Sequence, residues 1–155
     1  MHHLTASYHS PLGWIQITGH AKGVTSVAFV ETPSVVTAMP ASILQEAIVQ
    51  LDEYFLGTRQ YFSLALAPEG TPFQQEVWQY LQQIPFGQTL TYQAIADALK
   101  MPSASRAVGQ ANMHNPIAIF IPCHRVIGKN GKLTGYAGGL WRKEWLLRHE
   151  HAFLF

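Results

Sequence analysis

The chain contains a single cysteine, Cys123, followed at once by His124 and Arg125. A thiol becomes a strong nucleophile once its proton is gone, and a neighbouring imidazole can take that proton. An arbitrary Cys-His pair is more often an inert buried thiol beside a surface histidine, so the setting must carry the case. Here Pro122 and the glycines at 128, 131, 135, 138 and 139 shape a loop-rich pocket, and Arg125, Lys129 and Lys132 add positive potential that favours a thiolate. One cysteine excludes an internal disulfide and a multi-cysteine zinc site. The eight histidines include His2, His3, His9 and His20, but no pair has the HxxxH spacing of a helical ligand couple, so no metal is expected.

Several elements must position this pair. Thr71-Pro72-Phe73-Gln74 is a capping-box start with proline at the first helical position, and its helix should run to about Gln83 with Phe73, Val77, Leu81 and Ile84 buried. Tyr92, Ile95, Ala96 and Leu99 repeat at helical spacing, and Met101-Pro102-Ser103 breaks that helix. Ser103 or Ser105 can cap a second short helix through Ala111. Helix, tight turn and small-residue helix outline a helix-turn-helix. The second helix, Arg106-Ala107-Val108-Gly109-Gln110-Ala111, has no bulky side chain, which suits close packing on another helix or close approach to an external surface. Arg106 opposes the helix dipole in the first turn, which favours the external partner. His114-Asn115-Pro116 stops the helix, and Ile117 to Ile121 reads as a buried strand leading to Cys123.

The first half reads as a turn at Tyr8 to Gly13, strands at Trp14–Thr18 and Val24–Val30, and a loop bracketed by Pro33 and Pro40. A helix follows with Leu44, Ala47, Ile48, Leu51 and Tyr54 on one face, ended by Gly57. A last short strand, Tyr61 to Leu66, leads to a linker at Ala67-Pro68-Glu69-Gly70. With 155 residues, 48% hydrophobic and 12% charged, the chain is expected to be globular. Its longest apolar runs fall far short of the ~20 residues that span a bilayer, so a soluble, cytoplasmic protein without a membrane partner is expected. Charge is uneven. Residues 1–70 hold two basic and five acidic residues, a net −3, and residues 71–155 hold eight and four, a net +4. Phosphate contacts therefore belong to the second half.

Ile121-Pro122-Cys123-His124-Arg125-Val126 resembles the active-site signature of the methylated-DNA–protein-cysteine methyltransferases, also called O6-alkylguanine-DNA alkyltransferases. Ser105-Arg106-Ala107-Val108-Gly109, Asn115-Pro116 and Tyr136-Ala137-Gly138-Gly139-Leu140 fall in that family's order and spacing. The resemblance is strong from Thr71 to Glu150 and looser at Ser10–Gly13 and Leu51–Tyr61. It implies an α/β (α+β) fold: a small ribonuclease-H-like domain at 1–68, then a winged-helix-type helix-turn-helix domain at 69–155 that carries both DNA binding and chemistry.

The implied activity is direct-reversal DNA repair by a monomer, without a cofactor. A methyl or small alkyl group moves once from O6-alkylguanine, and potentially O4-methylthymine, to Cys123. Double-stranded DNA would be entered through the minor groove and the damaged nucleotide extruded. There the small helix has a reason, since the groove is only ~6 Å wide. By the same resemblance His124 takes the thiol proton through a water, Glu150 orients His124, and Asn115 ties the recognition helix to the active-site segment. Tyr92 presses on the rotating phosphate, and Arg106 fills the vacated stack on a helix surface that includes Ala107, Gly109 and Gln110. Pro122, Val126, Tyr136 and Ala137 line the base pocket, with the Cys123 and Val126 carbonyls reading the base's amino edge. Ala137 stands where many relatives carry serine; a backbone N–H donor survives that change, and a hydroxyl contact does not. The competing readings are a recognition protein that binds alkylated DNA without transfer, whose members lack the cysteine, a Cys-His hydrolase, and a helix-turn-helix regulator.

Overall fold

The computed structural model describes residues 3–33 and 42–152. The chain is mixed α/β and divides into two compact units: the described residues up to Glu69 together with Pro116–Ala118, and Gly70–Asn115 together with the described residues from Ile119.

In the first unit β1 (Leu4–Ser10), β2 (Gly13–His20) and β3 (Gly23–Val30) form an antiparallel sheet in the order β1-β2-β3. β1 was not expected. It is a polar edge strand in which only Ala6 and Ser10 are buried, so it lacks the alternation that betrays a strand. The turn expected at its end is the Pro11-Leu12 connection, with Ser10 paired to Gly13. α1 (Ser42–Leu56) lies on the sheet, burying Leu44, Ala47, Leu51 and Tyr54 with Ile15, Ile17, Val24 and Val27. Gly57 follows it at φ 84°. The loop expected from Pro33 to Pro40 lies, beyond Pro33 itself, outside the described residues.

The strand expected at Tyr61–Leu66 is not one. The Gln50 amide takes over the backbone of Ser63, accepting from its N–H at 2.9 Å and donating to its carbonyl at 3.2 Å, and only Leu66 bridges to Val24. Gly23 explains how close this segment comes: at φ 150°, a Cβ there would sit 2.6 Å from the Ala65 carbonyl oxygen. The open edge of β3 is closed by short pieces. Val24 bonds Ala65 and Ala67 at 2.9 and 2.7 Å, and Val27 bonds Pro116 and Ala118 at 2.9 and 3.1 Å.

The second unit begins with α2 (Pro72–Leu81), whose capping box forms as expected: the Gln74 N–H donates to Thr71 Oγ1 at 3.1 Å, and the Thr71 N–H to Gln74 Oε1 at 3.0 Å. Thr71→Ala should lower stability by about 1 kcal/mol, read as an earlier urea midpoint with an unchanged slope. β4 (Leu90–Thr91) and α3 (Tyr92–Ala98) follow, then α4 (Ser105–Met113). Neither Ser103 nor Ser105 caps α4. Its N-cap is Ala104, with no side-chain bond to the first turn. Val108, Ala111 and Asn112 face inward, and the buried Trp78 of α2 donates its indole N–H to the Ala111 carbonyl at 2.8 Å, packing the two helices together.

Ile117–Ile121 is not a strand either. Beyond the bridge at Ile117 it is a succession of turns, with Ile119 fully buried at φ 71°. A β-branched residue in that region costs on the order of 1–3 kcal/mol and persists only where its surroundings hold it. A 3-10 turn at Cys123–Arg125 leads into β5 (Val126–Ile127), which pairs parallel to β4, and α5 (Leu140–His149) completes the unit. No helix among the described residues is long and apolar enough to cross a membrane.

Candidate active site

Cys123 opens its 3-10 turn and is buried. Burial pushes its thiol pKa up, against a hydrogen bond from Asn115, the charge of Lys143 and a backbone bond. The thiol therefore needs a base to become a thiolate. His124, the next residue, is completely buried; its Nε2–H donates to Glu150 Oε2 at 2.7 Å, and its Nδ1 has no protein partner. Desolvation holds the imidazole below its ordinary pKa in spite of Glu150, so it rests neutral with an open lone pair. This is the protonation state of a base.

Glu150 caps the end of α5 and serves two partners. Arg125 Nε donates to Oε1 at 2.7 Å and Nη2 to Oε2 at 3.0 Å, while Nη1 donates to the Ile84 carbonyl at 2.6 Å. Burial alone would lift the Glu150 carboxyl; His124 and Arg125 outweigh it and hold it well below the usual carboxylate range.

Two asparagines at the end of α4 fix the cysteine segment. Asn115 Nδ2 donates to the Ile121 carbonyl at 2.8 Å, and Asn112 Nδ2 to that of Cys123 at 3.3 Å. The Cys123 carbonyl also accepts from the Val126 N–H. Pro122, Val126 and Tyr136 are buried beside these groups, while Ala137 is exposed. The Tyr136 hydroxyl has no protein partner, and burial together with the charge of Cys123 keeps it a neutral phenol.

Tyr92 lies apart from Cys123 in the hydrogen-bond pattern: its hydroxyl meets Thr134 Oγ1 at 2.9 Å. Tyr92 also borders a cleft of about 410 Å³ with Thr91, Gln93, Ser105, Lys129 and Asn130. On α4, Arg106, Ala107 and Gln110 are exposed and Gly109 is half-buried against the Tyr92 ring. No group of three or more metal-binding side chains occurs among the described residues.

Three participants escaped sequence reasoning: Asn112, the pairing of Arg125 with Glu150, and Lys143. Lys143 is fully buried on α5; its ammonium donates to the Thr134 carbonyl at 2.7 Å and interacts with Cys123, and burial brings its pKa down to about 8. A signal existed. Lys143, Leu146, Leu147 and Glu150 are spaced as one inward stripe of a helix, with a charge at each end. Lys143→Met should raise the Cys123 pKa further, seen as thiolate ultraviolet absorbance that appears only at higher pH than in the parent protein. The variant also leaves the Thr134 carbonyl without its donor, so circular dichroism should accompany the titration to show the protein folded.

Comparison with known proteins bears on all of this. Residues 72–152 match the family described as 6-O-methylguanine DNA methyltransferase, DNA binding domain, and residues 4–68 its ribonuclease-like domain. The methylated-DNA–protein-cysteine methyltransferase of Methanosarcina acetivorans is 48% identical over 150 residues, covering 94% of this chain and 96% of that one. The protein of the same name from Mycobacterium tuberculosis is 47% identical over 145 residues, covering 91% and 88%. Among solved structures, Mycobacterium tuberculosis OGT in complex with DNA superposes with a TM-score of 0.86 at 45% identity, covering 98% of this chain and 94% of that one. The fold, the match across both units and these relatives agree: the chain belongs to the methylated-DNA–protein-cysteine methyltransferase family.

Proposed function

We propose that this chain repairs alkylated DNA by moving a methyl or small alkyl group from O6 of guanine to its own Cys123. The observation that supports this most directly is the buried Cys123 followed by a neutral His124 tied to Glu150. The thiol proton passes to His124 Nδ1 through a water, the sulfur attacks the alkyl carbon, and the bond from that carbon to O6 breaks. The proton returns to the departing guanine. Glu150 holds the imidazole in the tautomer that leaves Nδ1 bare.

DNA contact falls to the second unit, which carries the excess of basic residues. The small exposed residues of α4 suit the minor groove, and a helix start left without a side-chain cap retains N–H groups for a phosphate. Tyr92 and Lys129 share the neighbouring cleft, which suits a backbone turned to extrude its nucleotide. Pro122, Val126, Tyr136 and Ala137 would receive the base, and the protein would act as a monomer in the cytoplasm.

Duplex DNA carrying a labelled O6-methyl group tests the reading: label should pass to the protein and stay there. Label released to solution would favour a hydrolase, and binding without transfer a recognition protein. On undamaged duplex, binding should be micromolar or weaker and fade as salt rises, as phosphate contacts require. A salt-independent, sequence-specific footprint would instead indicate a regulator.

A further inference from the structure

The mechanism above uses one edge of Glu150 and leaves Arg125 without a task. A guanidinium at the surface would need none, but this one is buried and commits three nitrogens, two to Glu150 and one to the Ile84 carbonyl. His124 and Arg125 are neighbours in one short turn, and both reach back to the same carboxylate at 2.7 Å. We propose that Arg125 is a positioning residue that takes up the charge of Glu150 and thereby keeps His124 a neutral base.

Counting charges shows why. A buried imidazole facing a carboxylate alone would gain a proton readily, since the pair then sums to zero. With Arg125 present, carboxylate and guanidinium already sum to zero, and protonating His124 would leave a net positive charge buried away from bulk solvent. The other charge that acts on His124, Lys143 of α5, pushes the same way. Cys123 lies in its own turn, and α2, which also packs on that turn, buries the apolar Val77, Trp78 and Leu81. Burial and the two cations together outweigh Glu150, and the imidazole stays below its ordinary pKa. Glu150 is thus an orienting acceptor for Nε2–H, with too little unshared charge to trap His124 as imidazolium. The second Glu150 oxygen bond of Arg125 also stops the carboxylate from rotating away from the ring.

The inference deepens the proposed alkyl transfer and rests on it for its consequence, but its primary test does not require activity. Nitrogen-15 spectra of labelled histidine in the unmodified protein, with His124 assigned by the signal lost in His124→Gln, should show Nε2–H and a bare Nδ1 at pH 7. An imidazolium, or a proton on Nδ1, would overturn the proposal. In Arg125→Met the His124 pKa should rise by about one unit or more, and the acid limb of the single-turnover rate should move up with it. Arg125→Lys, which keeps the charge and loses the fork, should lower the plateau and leave the limb in place. A uniform loss of rate in Arg125→Met with an unmoved limb would reduce Arg125 to a structural strut. A protein that ignored methylated DNA yet held His124 neutral would sink the repair reading and still support this one.

Discussion

Mixed with an excess of duplex containing O6-methylguanine, each protein molecule is expected to gain one methyl group and then stop. The thioether formed on Cys123 is a poor leaving group, and the chain has no second thiol to accept the alkyl group. Nothing in the proposed sequence of steps regenerates the nucleophile, so the yield is set by the amount of protein and not by time. Intact mass spectrometry should show the added methyl on one peptide, the one containing Cys123. Cys123→Ser should abolish transfer although its shape is nearly unchanged, because an alcohol is far less acidic than a thiol and His124 is too weak a base to ionise it. Binding to duplex should persist in that variant, since the α4 face proposed to meet DNA is untouched. More than one methyl transferred per molecule would sink the stoichiometric reading.

How much of this was legible in the sequence depends on how local each cause is. The Thr71–Gln74 capping box closes within four residues, and it formed as read. The helix-turn-helix outline also held, because its apolar spacing and the Met101-Pro102-Ser103 break are local signals. Ile117–Ile121 failed for the opposite reason. Its β-branched residues prefer strands, but the segment is committed at its start to Val27 and at its end to Asn115, and the chain between turns through a strained Ile119. Tertiary demands overrode propensity there. The same holds for Tyr61–Leu66, where one distant glutamine substitutes for a neighbouring strand. The nucleophile and its neighbour could be named from the chain, whereas the carboxylate twenty-six residues away came only through the resemblance. Lys143 and the Arg125–Glu150 pairing stayed hidden because charged residues are almost never fully buried unless paired. Their partners appear only once α5 is folded against the cysteine turn.

Arg106→Ala should slow repair of duplex DNA strongly while leaving reaction with a free alkylated base nearly unchanged. Arg106 is exposed on α4, in the turn that lacks a side-chain cap, and it belongs to none of the hydrogen bonds that tie Cys123, His124, Arg125 and Glu150 together. On the proposed reading, its place is on the surface that meets DNA. Unstacking and unpairing a base costs a few kcal/mol, and an inserted side chain offsets part of that by filling the gap. If Arg106 recovers about 2 kcal/mol of it, its loss slows the duplex reaction by roughly thirtyfold. Free O6-benzylguanine needs no extrusion, so its rate should fall by less than about twofold, provided it fits the pocket. Glu150→Gln provides the contrast. It removes the carboxylate that orients His124 and pairs with Arg125, and should impair both reactions alike. Both rates are read under single-turnover conditions, with circular dichroism showing each variant folded. Equal losses on duplex and free base in Arg106→Ala would place the arginine in the chemistry and remove it from extrusion.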